Sequence, residues 1–197
     1  MKRTILSYLL ISFAFCAFAQ NADIELLRNI NHNRNRNLDP FFQFTSNSVL
    51  PMMIGVPACM AAIQLITKDS LQKKKTIFVV GTILISGAIT TSIKYAVKRP
   101  RPFVTYPDIE KETVAGSLSF PSGHTSSAFS LATAMSVAYP KWYVIAPAYI
   151  WASTVAYSRM DLGAHYPSDV LAGAIIGSGS AYLSFKLNNW LYKKYRK

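Results

Sequence analysis

The densest chemical signal lies in SRMDLGAHYPSD, residues 158–169, which separates an uncharged run from an apolar one. The stretch contains Arg159, His165 and Asp169 in a chain with only 15% charged residues. His165 and Asp169 are four residues apart, so they share one face if a helix begins near Pro167. The carboxylate can then bind one imidazole nitrogen and leave the other as a nucleophile. This spacing predicts a histidine nucleophile aligned by an aspartate.

A second basic segment, KYAVKRPRP at 94–102, also borders an apolar run and supplies Lys94 and Arg101. With Arg159 these residues form a set of one lysine and two arginines. Arginine forks match the oxygens of a phosphate group, and an ammonium adds a point charge. The set therefore predicts a site for a tetrahedral oxyanion. The sequence has neither a Walker glycine loop nor a carboxylate cluster for magnesium, so the side chains themselves must neutralise the anion.

The third segment is PSGHT, residues 121–125, which has the composition of a helix start. Its proline suits the first turn, and Ser122 and Gly123 allow backbone N–H groups to approach an anion at the positive end of the helix dipole. His124 is then available as a general acid. It would protonate a departing alkoxide and afterwards, as a base, activate the water that hydrolyses a phosphohistidine.

Each of these residues has a simpler interpretation when it is taken alone. Lys94 and Arg159 are typical interface anchors at the ends of membrane helices. His124 could be a structural hydrogen-bonding residue, and Asp169 could only cap a helix. The combination favours a functional site, because the structural interpretation requires several independent coincidences on the same side of a membrane.

Other conspicuous residues favour structural interpretations. His32, in an Asn-rich stretch, and Asp161 are expected to face solvent. Gly173 and Gly177 have the spacing of small residues at a helix interface. Cys16 and Cys59 both fall in apolar segments, so no structural disulfide is predicted.

The composition is that of a membrane protein. Of 197 residues, 51% are hydrophobic, while the formal net charge is +12. A basic chain can bind nucleic acid or an anionic membrane surface. Because the basic residues flank apolar runs, we expect them to set membrane topology and predict no nucleic-acid partner.

The N-terminal part leaves alternatives open. Residues 1–19 have a basic start, an apolar core and small residues near the end, which fits a cleavable signal peptide or an uncleaved first transmembrane helix. In either case the residues after this segment are exported. Residues 20–48 form an external polar segment in which Ile24, Leu27 and Ile30 allow either a short helix on the membrane surface or a solvated loop.

Uncharged runs fill the rest of the chain, at residues 40–67, 76–93, 125–140, 142–158 and 170–185. The first two can each span a bilayer, and the last three are borderline alone but succeed one another with short breaks. They predict an all-α fold, a polytopic membrane helical bundle of five or six transmembrane helices, with one membrane domain over residues 49–190.

Charge sets the expected orientation. If the chain crosses at each run and starts inside, one side holds twelve basic residues and one acid, and the other holds nine basic residues and eight acids. The positive-inside rule makes the first side cytoplasmic. The segments 94–102, 121–125 and 158–169 are then external, and residues 191–197 form a basic cytoplasmic tail.

At these residues the sequence resembles the type 2 phosphatidic acid phosphatase family, whose superfamily also holds bacterial acid phosphatases and vanadium haloperoxidases. The family motif K-x6-R-P matches residues 94–102, P-S-G-H matches 121–124, and S-R-x5-H-x3-D matches 158–169. Arg99 with its following proline is off this register by two residues and has no lysine at the required spacing. The resemblance covers roughly residues 40–190.

The resemblance implies that His165 is the nucleophile, Asp169 its partner and His124 the acid. It also implies that the following residues bind phosphate: Lys94, Arg101, Ser122, Gly123 and Arg159. The reaction would need no metal and no cofactor. A six-helix core is implied as well, in which the N-terminal segment would be the first helix.

The function expected from this resemblance is hydrolysis of a lipid phosphate or diphosphate at the outer face of a bacterial inner membrane, through a phosphohistidine. Candidate substrates are undecaprenyl diphosphate, phosphatidylglycerol phosphate, phosphatidic acid and lipid A, and the expected partners are this substrate and membrane lipids. Vanadate-dependent halide oxidation and a non-catalytic transport or scaffold role are the alternatives. The sequence predicts neither the particular lipid nor the oligomeric state.

Overall fold

The computed structural model describes residues 21–116 and 118–194. Helix α1 covers residues 21–32. The remaining helices are α2 (Asp39–Asn47), α3 (Val49–Thr67), α4 (Ser70–Val97), α5 (Pro102–Thr105), α6 (Gly123–Ala138), α7 (Trp142–Asp161) and α8 (Pro167–Lys194), and a 3₁₀ turn at Arg36–Leu38 precedes α2. No strand occurs in this part of the chain, so the predicted all-α class is confirmed. The signal peptide or first helix predicted at 1–19 lies outside the described residues.

Five of these helices correspond to the apolar runs of the sequence. Helices α3, α4 and the Pro167–Asn188 part of α8 are long and apolar enough to cross a membrane. Helix α6, with 16 residues, and α7, with 20, coincide with the two shorter runs between them. The predicted helical membrane bundle is therefore present in the structure.

Helix α4 ends in a tight turn that brings the chain back to the bundle. Lys98 adopts φ 53°, and its N–H donates to the carbonyl of Lys94. Pro102 then begins α5, where its missing N–H removes no helical hydrogen bond. As a result, Arg99 and Arg101 stay at the end of the bundle instead of continuing along the α4 axis.

Helices α6 and α8 pack at very short range, as the predicted glycine pair requires. A Cβ on Gly173 would lie 2.7 Å from the carbonyl oxygen of Ser122, and one on Gly177 would lie 2.4 Å from that of Ser126. Only glycine permits this approach. The contact places the start of α8 directly beside the start of α6.

The interior of the bundle consists of two apolar clusters. One joins α3, α4 and α6 through Met60, Phe78, Val79, Leu131, Ala134 and Ala138. The other joins α3, α6 and α7 through Val49, Ala128, Ala132, Ala152 and Val155. Many large apolar side chains also point outward, among them Leu65 and Ile66. An outward apolar surface is what hydrocarbon requires of a membrane helix, and packing between small residues holds such helices together.

Helix α1 lies against the bundle end and is not a solvated loop. Ile24 and Leu27 are buried against Ile109 and Tyr166. The apolar face, for which the sequence allowed a position on the membrane surface, is therefore largely covered by protein, because the loop with Ile109 and the α7–α8 connection with Tyr166 pack against it. The exposure predicted for His32 is confirmed in part, since its side chain is 43% exposed while Nε2 lies 2.9 Å from the carbonyl oxygen of Asp108.

Candidate active site

The loop after α4, the start of α6 and the α7–α8 loop meet at one end of the bundle. This arrangement brings together all the predicted site residues: Lys94, Arg101, Ser122, Gly123, His124, Arg159, His165 and Asp169. Backbone bonds join the segments, since the N–H of Ser122 donates to the carbonyl of Asp169 at 3.0 Å, and the N–H of Ser119 donates to the carbonyl of Arg99 at 2.8 Å. The segments thus form one site although they are far apart in the sequence.

His165 lies between a carboxylate and a guanidinium. Its Nδ1 is 3.4 Å from Oδ2 of Asp169, and its Nε2 is 3.1 Å from Nη1 of Arg101. A carboxylate accepts and a guanidinium donates, so these partners assign the imidazole proton to Nδ1 and leave a lone pair on Nε2. Nε2 is therefore the nitrogen that keeps a lone pair, which in this structure accepts from Arg101.

The imidazole of His165 is held in its neutral form. Its exposed fraction is 1%. Burial lowers the pKa of His165 from 6.5 to about 3, and the charges of Arg101 and Arg159 act in the same direction against the opposing effect of Asp169. A buried neutral imidazole beside fixed positive charge suits nucleophilic attack near neutral pH.

Asp169 has more partners than the sequence motif suggests. Its Oδ2 also accepts from the N–H of Tyr166 at 3.1 Å and from the hydroxyl of Ser119, while Oδ1 accepts from Nη1 of Arg99 at 2.8 Å. Motif matching missed both Ser119 and Arg99. Arg99 carried a weak signal as an additional cation in the KRPRP stretch, whereas nothing in the sequence distinguishes Ser119.

Arg159 is almost completely enclosed, with an exposed fraction of 1%. Its Nη1 donates to the hydroxyl of Ser46, in α2, and to that of Thr113 at 3.3 Å. Within the described residues, Nε of Arg159 and Nε of Arg101 are buried without a hydrogen-bond partner. The two arginines are close enough for their charges to interact, and two unsatisfied cationic N–H groups on neighbouring arginines are suited to an incoming anion.

Arg101 is also buried and makes one further bond, from Nη1 to the carbonyl of Ala164 at 2.9 Å. Burial lowers the pKa of Arg101, although the charge of Asp169 opposes this effect. An arginine nevertheless keeps its proton in a protein, so the guanidinium remains a positive charge next to His165.

Lys94 holds the loop that leads into α6. Its Nζ lies 3.0, 3.1 and 2.9 Å from the carbonyl oxygens of Leu118, Ser119 and Pro121. An ammonium has three hydrogens, and these three carbonyls can accept all of them. In this geometry Lys94 has no ammonium hydrogen left for an anion, so it would act on one through its charge and through the loop that it holds.

The start of α6 leaves open space at Gly123. Ser122 is fully buried, and its hydroxyl accepts from Thr125 at 2.9 Å. A Cβ added to Gly123 would meet no atom within 4 Å. The first N–H groups of a helix lack intrahelical partners, so this open space is a position where an oxyanion can receive backbone hydrogen bonds.

His124 follows at the same helix start and is half-buried. The positive charges of Arg159, Arg101 and Lys94 act on its imidazole. Two of these cations, Arg101 and Arg159, also act on His165.

One expectation near the site is wrong. Asp161 does not face solvent, since its exposed fraction is 2%. Asn31 of α1 covers it and donates to its backbone carbonyl at 2.8 Å. The sequence could not indicate this burial, because α1 comes from a segment 130 residues away.

The chemistry of the site is that of a cationic anion cradle. Among the described residues, no group of three or more His, Cys, Asp or Glu side chains is arranged to hold a metal ion. The side chains that are present provide two imidazoles, one carboxylate and several fixed cations. Together, the helical membrane fold and this site define a membrane enzyme of phosphate chemistry.

A family model described as the PAP2 superfamily matches residues 75–193. The chain therefore belongs to the PAP2 superfamily, and it is a phosphatase. It is 30% identical to an undecaprenyl-diphosphatase of Sulfolobus acidocaldarius over 85% of this chain and 79% of the relative. It is 28% identical to a lipid A 4'-phosphatase of Bacteroides thetaiotaomicron over 74% of this chain and 69% of the relative.

Two solved structures share the fold. The crystal structure of Aquifex aeolicus LpxE superposes with a TM-score of 0.69 at 29% identity, covering 84% of this chain and 95% of that one. A transmembrane PAP2-type phosphatidylglycerolphosphate phosphatase from Bacillus subtilis superposes with a TM-score of 0.73 at 22% identity, covering 94% of both chains. This helical bundle is thus the fold of membrane PAP2 phosphatases.

Proposed function

We propose that this protein hydrolyses the phosphate or diphosphate group of a membrane lipid through a phosphohistidine intermediate, without a metal or a cofactor. The observation that carries the proposal is the geometry of His165. Its Nδ1 lies beside Asp169 and its Nε2 beside Arg101. A neutral imidazole with one nitrogen tied to a carboxylate and the other facing an anion cradle is arranged for attack on phosphorus.

In the first step, Nε2 of His165 forms a bond to phosphorus while the bond from phosphorus to the lipid oxygen breaks. His124 donates a proton to the departing oxygen. Asp169 stabilises the positive charge on the phosphorylated imidazole through Nδ1–H. Arg101 and Arg159 stabilise the negative charge of the transferring group, which is the main contribution that a protein makes to phosphoryl transfer.

In the second step, water attacks the same phosphorus and the P–N bond breaks. His124, now neutral, takes a proton from that water. The products are inorganic phosphate and His165 in its starting form. The two steps therefore return both histidines to their original protonation states.

A lipid substrate is supported by the position of the site and by the relatives, whose names specify undecaprenyl diphosphate and lipid A. A cavity of about 710 Å³ also opens between α1, α7 and α8, next to the site. Its lining is mostly apolar and includes Leu26, Tyr157, Met160, Val170 and Leu171. Such a cavity has room for a hydrocarbon chain, and Ser168 in its lining is the residue before Asp169.

The test is phosphate release by the detergent-purified protein in the presence of EDTA. The substrates are undecaprenyl diphosphate, phosphatidylglycerol phosphate, phosphatidic acid, lipid A and a soluble phosphomonoester. We expect release from at least one lipid and a loss of about 10³-fold or more in His165→Ala. His32→Ala, a histidine outside the site, is the matched control and should keep the activity of the unaltered protein.

The result also identifies the substrate class. Release from one lipid, lost in His165→Ala, supports the proposal and names the lipid. A ³²P label trapped on the protein in acid-labile, base-stable form would support the phosphohistidine. No release from any lipid, or release that survives in His165→Ala, would contradict the proposal.

We also propose that the site faces the outside of the inner membrane, with the 191–197 tail in the cytoplasm. Single cysteines test this orientation in a Cys16→Ser, Cys59→Ser background. Gly116→Cys lies in the external loop, and Lys141→Cys lies in the opposite loop; both positions are exposed. A membrane-impermeant maleimide applied to intact spheroplasts should label the first cysteine and spare the second. The reverse labelling would overturn the orientation.

A further inference from the structure

Arg99 makes a linkage that the motif residues do not explain. One end of its guanidinium, Nη1, donates to Oδ1 of Asp169 and to the hydroxyl of Ser168, both at 2.8 Å. The other end, Nη2, donates at 2.8 Å to Oδ2 of Asp23 in α1. Arg99 therefore joins the partner of the nucleophile to the helix that covers the site.

The two carboxylate oxygens of Asp169 contact different groups. Oδ2 faces Nδ1 of His165, whereas Oδ1 is bound by Arg99. A carboxylate that is hydrogen-bonded at both oxygens cannot rotate about its Cβ–Cγ bond without losing one of these contacts. The contact with Arg99 thus keeps the other oxygen directed towards the imidazole.

Asp23 holds Arg99 and the start of α8 at the same time. Its Oδ1 accepts from the N–H of Ser168 at 2.8 Å, and its Oδ2 accepts from the hydroxyl of the same residue. This bonding makes Asp23 a cap for α8 that comes from a different helix. Since α8 begins between His165 and Asp169, the cap fixes the turn that sets their spacing.

Arg99 itself is firmly placed. Its guanidinium carbon lies 3.7 Å above the centre of the Tyr166 ring. Burial opposes its charge, but the hydrogen bond to Asp23 and the charges of Asp169 and Asp23 raise the pKa of Arg99 overall. The guanidinium of Arg99 consequently remains charged, and each of its two terminal nitrogens is bound to a carboxylate.

We propose that Arg99 is a positioning residue that aligns Asp169 for His165, and that Asp23 positions Arg99, so that α1 must be seated for the nucleophile to be aligned. The inference rests on the proposed function, because it assigns His165 the role of nucleophile. The hydrogen bonds of Arg99 go to Asp23, Ser168 and Asp169, and none of these partners is a cation that would bind the phosphate. The loss of Arg99 should therefore slow the chemical step and leave anion binding intact.

The experiment compares Arg99→Gln, Arg99→Lys and Asp23→Asn with the unaltered protein on the lipid that it hydrolyses best. Lys98→Gln removes the neighbouring cation, which is exposed, and is the matched control. The measured quantities are kcat, KM and the inhibition constant of orthovanadate, a phosphate-like oxyanion. Arg101→Gln serves as the contrasting variant, in which the vanadate affinity itself should fall.

We expect Arg99→Gln to lower kcat by about 10- to 100-fold, the usual effect of losing a group that orients an active-site ligand, with KM and vanadate inhibition changed less than about twofold. Asp23→Asn should lower kcat by about 3- to 10-fold, because it weakens only one end of the linkage. Arg99→Lys should recover part of the loss, since a lysine reaches one carboxylate but not both. Lys98→Gln should keep the full kcat.

The double variant Asp23→Asn with Arg99→Gln should be no slower than Arg99→Gln alone, because both changes break the same linkage. Equal kcat in Arg99→Gln and the unaltered protein would overturn the inference, and so would a loss that appears in KM and vanadate affinity instead of kcat. If Arg99→Gln fails to fold, as judged by gel filtration and thermal unfolding, the split between kcat and KM in Asp23→Asn decides the matter.

The inference and the proposed function fail in different ways. An unaltered protein that releases no phosphate from any lipid contradicts the proposed function. An active protein that depends on His165 but not on Arg99 contradicts only the positioning role.

Discussion

The two ends of the helical bundle differ in how far they bury their basic residues. At the site end, Arg101 and Arg159 have exposed fractions of 7% and 1%. At the other end, Lys68, Lys141 and Lys186 are exposed. Both ends are basic, yet among the described residues buried cations occur only at the site end.

This difference separates two uses of positive charge. Exposed lysines near a membrane surface set topology and remain solvated, so holding them in place requires little from the fold. A buried guanidinium with an unpartnered Nε is costly to hold and is stabilised when an anion arrives. We therefore interpret burial, more than the presence of a basic residue, as the mark of the anion site.

The largest expected effect compares one cation from each end. Arg159→Gln should lower kcat/KM by about 10²- to 10³-fold, as expected for the loss of one preorganised donor to the transferring group. Lys141→Gln, at the opposite end, should change it less than about twofold. Phosphate release from the preferred lipid measures both.

Comparable losses in Arg159→Gln and Lys141→Gln would show that burial does not distinguish the two classes of cation. Arg159→Lys refines the comparison. This variant keeps the positive charge but loses the planar guanidinium and its paired donors. We expect its rate to lie between those of the unaltered protein and Arg159→Gln.

A smaller effect compares two glycines of α8. Gly177→Ala would place a Cβ 2.4 Å from the carbonyl oxygen of Ser126 and should destabilise the fold by about 1–3 kcal/mol through overpacking. A Cβ at Gly179 would meet nothing within 4 Å, so Gly179→Ala should be neutral or slightly stabilising. Thermal unfolding in detergent measures both variants. Equal unfolding temperatures would contradict the close packing of α6 against α8.

An effect of similar size is expected in the pH dependence of stability. Burial lowers the pKa of His165 from 6.5 to about 3. As the pH falls below about 6.5, His165 is therefore protonated in the unfolded chain but not in the folded state. This difference destabilises the folded state. Between about pH 7 and pH 5, we expect a loss on the order of 2 kcal/mol in the unaltered protein.

The matched variant for this prediction is His165→Gln, which cannot titrate and should lack that part of the pH dependence. Thermal unfolding at the two pH values measures the difference. Identical pH dependence in both proteins would show that the imidazole is not held neutral by burial.

Much of this protein could be predicted from local sequence. Apolar runs predict helices because a helix satisfies its own backbone hydrogen bonds in hydrocarbon. Segments that border such runs predict where the site lies. The spacing of His165 and Asp169 indicates a bonded pair, since the residues are close along the chain. These predictions depend only on short-range geometry.

Other features were decided by the tertiary structure. Asp23 lies 145 residues from Ser168 in the sequence, and Ser46 lies 113 residues from Arg159. No periodicity or spacing links residues so far apart, so the contacts could not be predicted. The same reason explains the buried Asp161, which the sequence suggested would face solvent.

The sequence by itself determined the helical class, the membrane character and the histidine, aspartate and cations of the site, because each is encoded in residue type and short spacing. Only the tertiary structure decided which groups hold them. Ser119 and Arg99 bind Asp169, and α1 covers the α7–α8 loop. These contacts depend on how the helices pack, and packing depends on the whole chain at once.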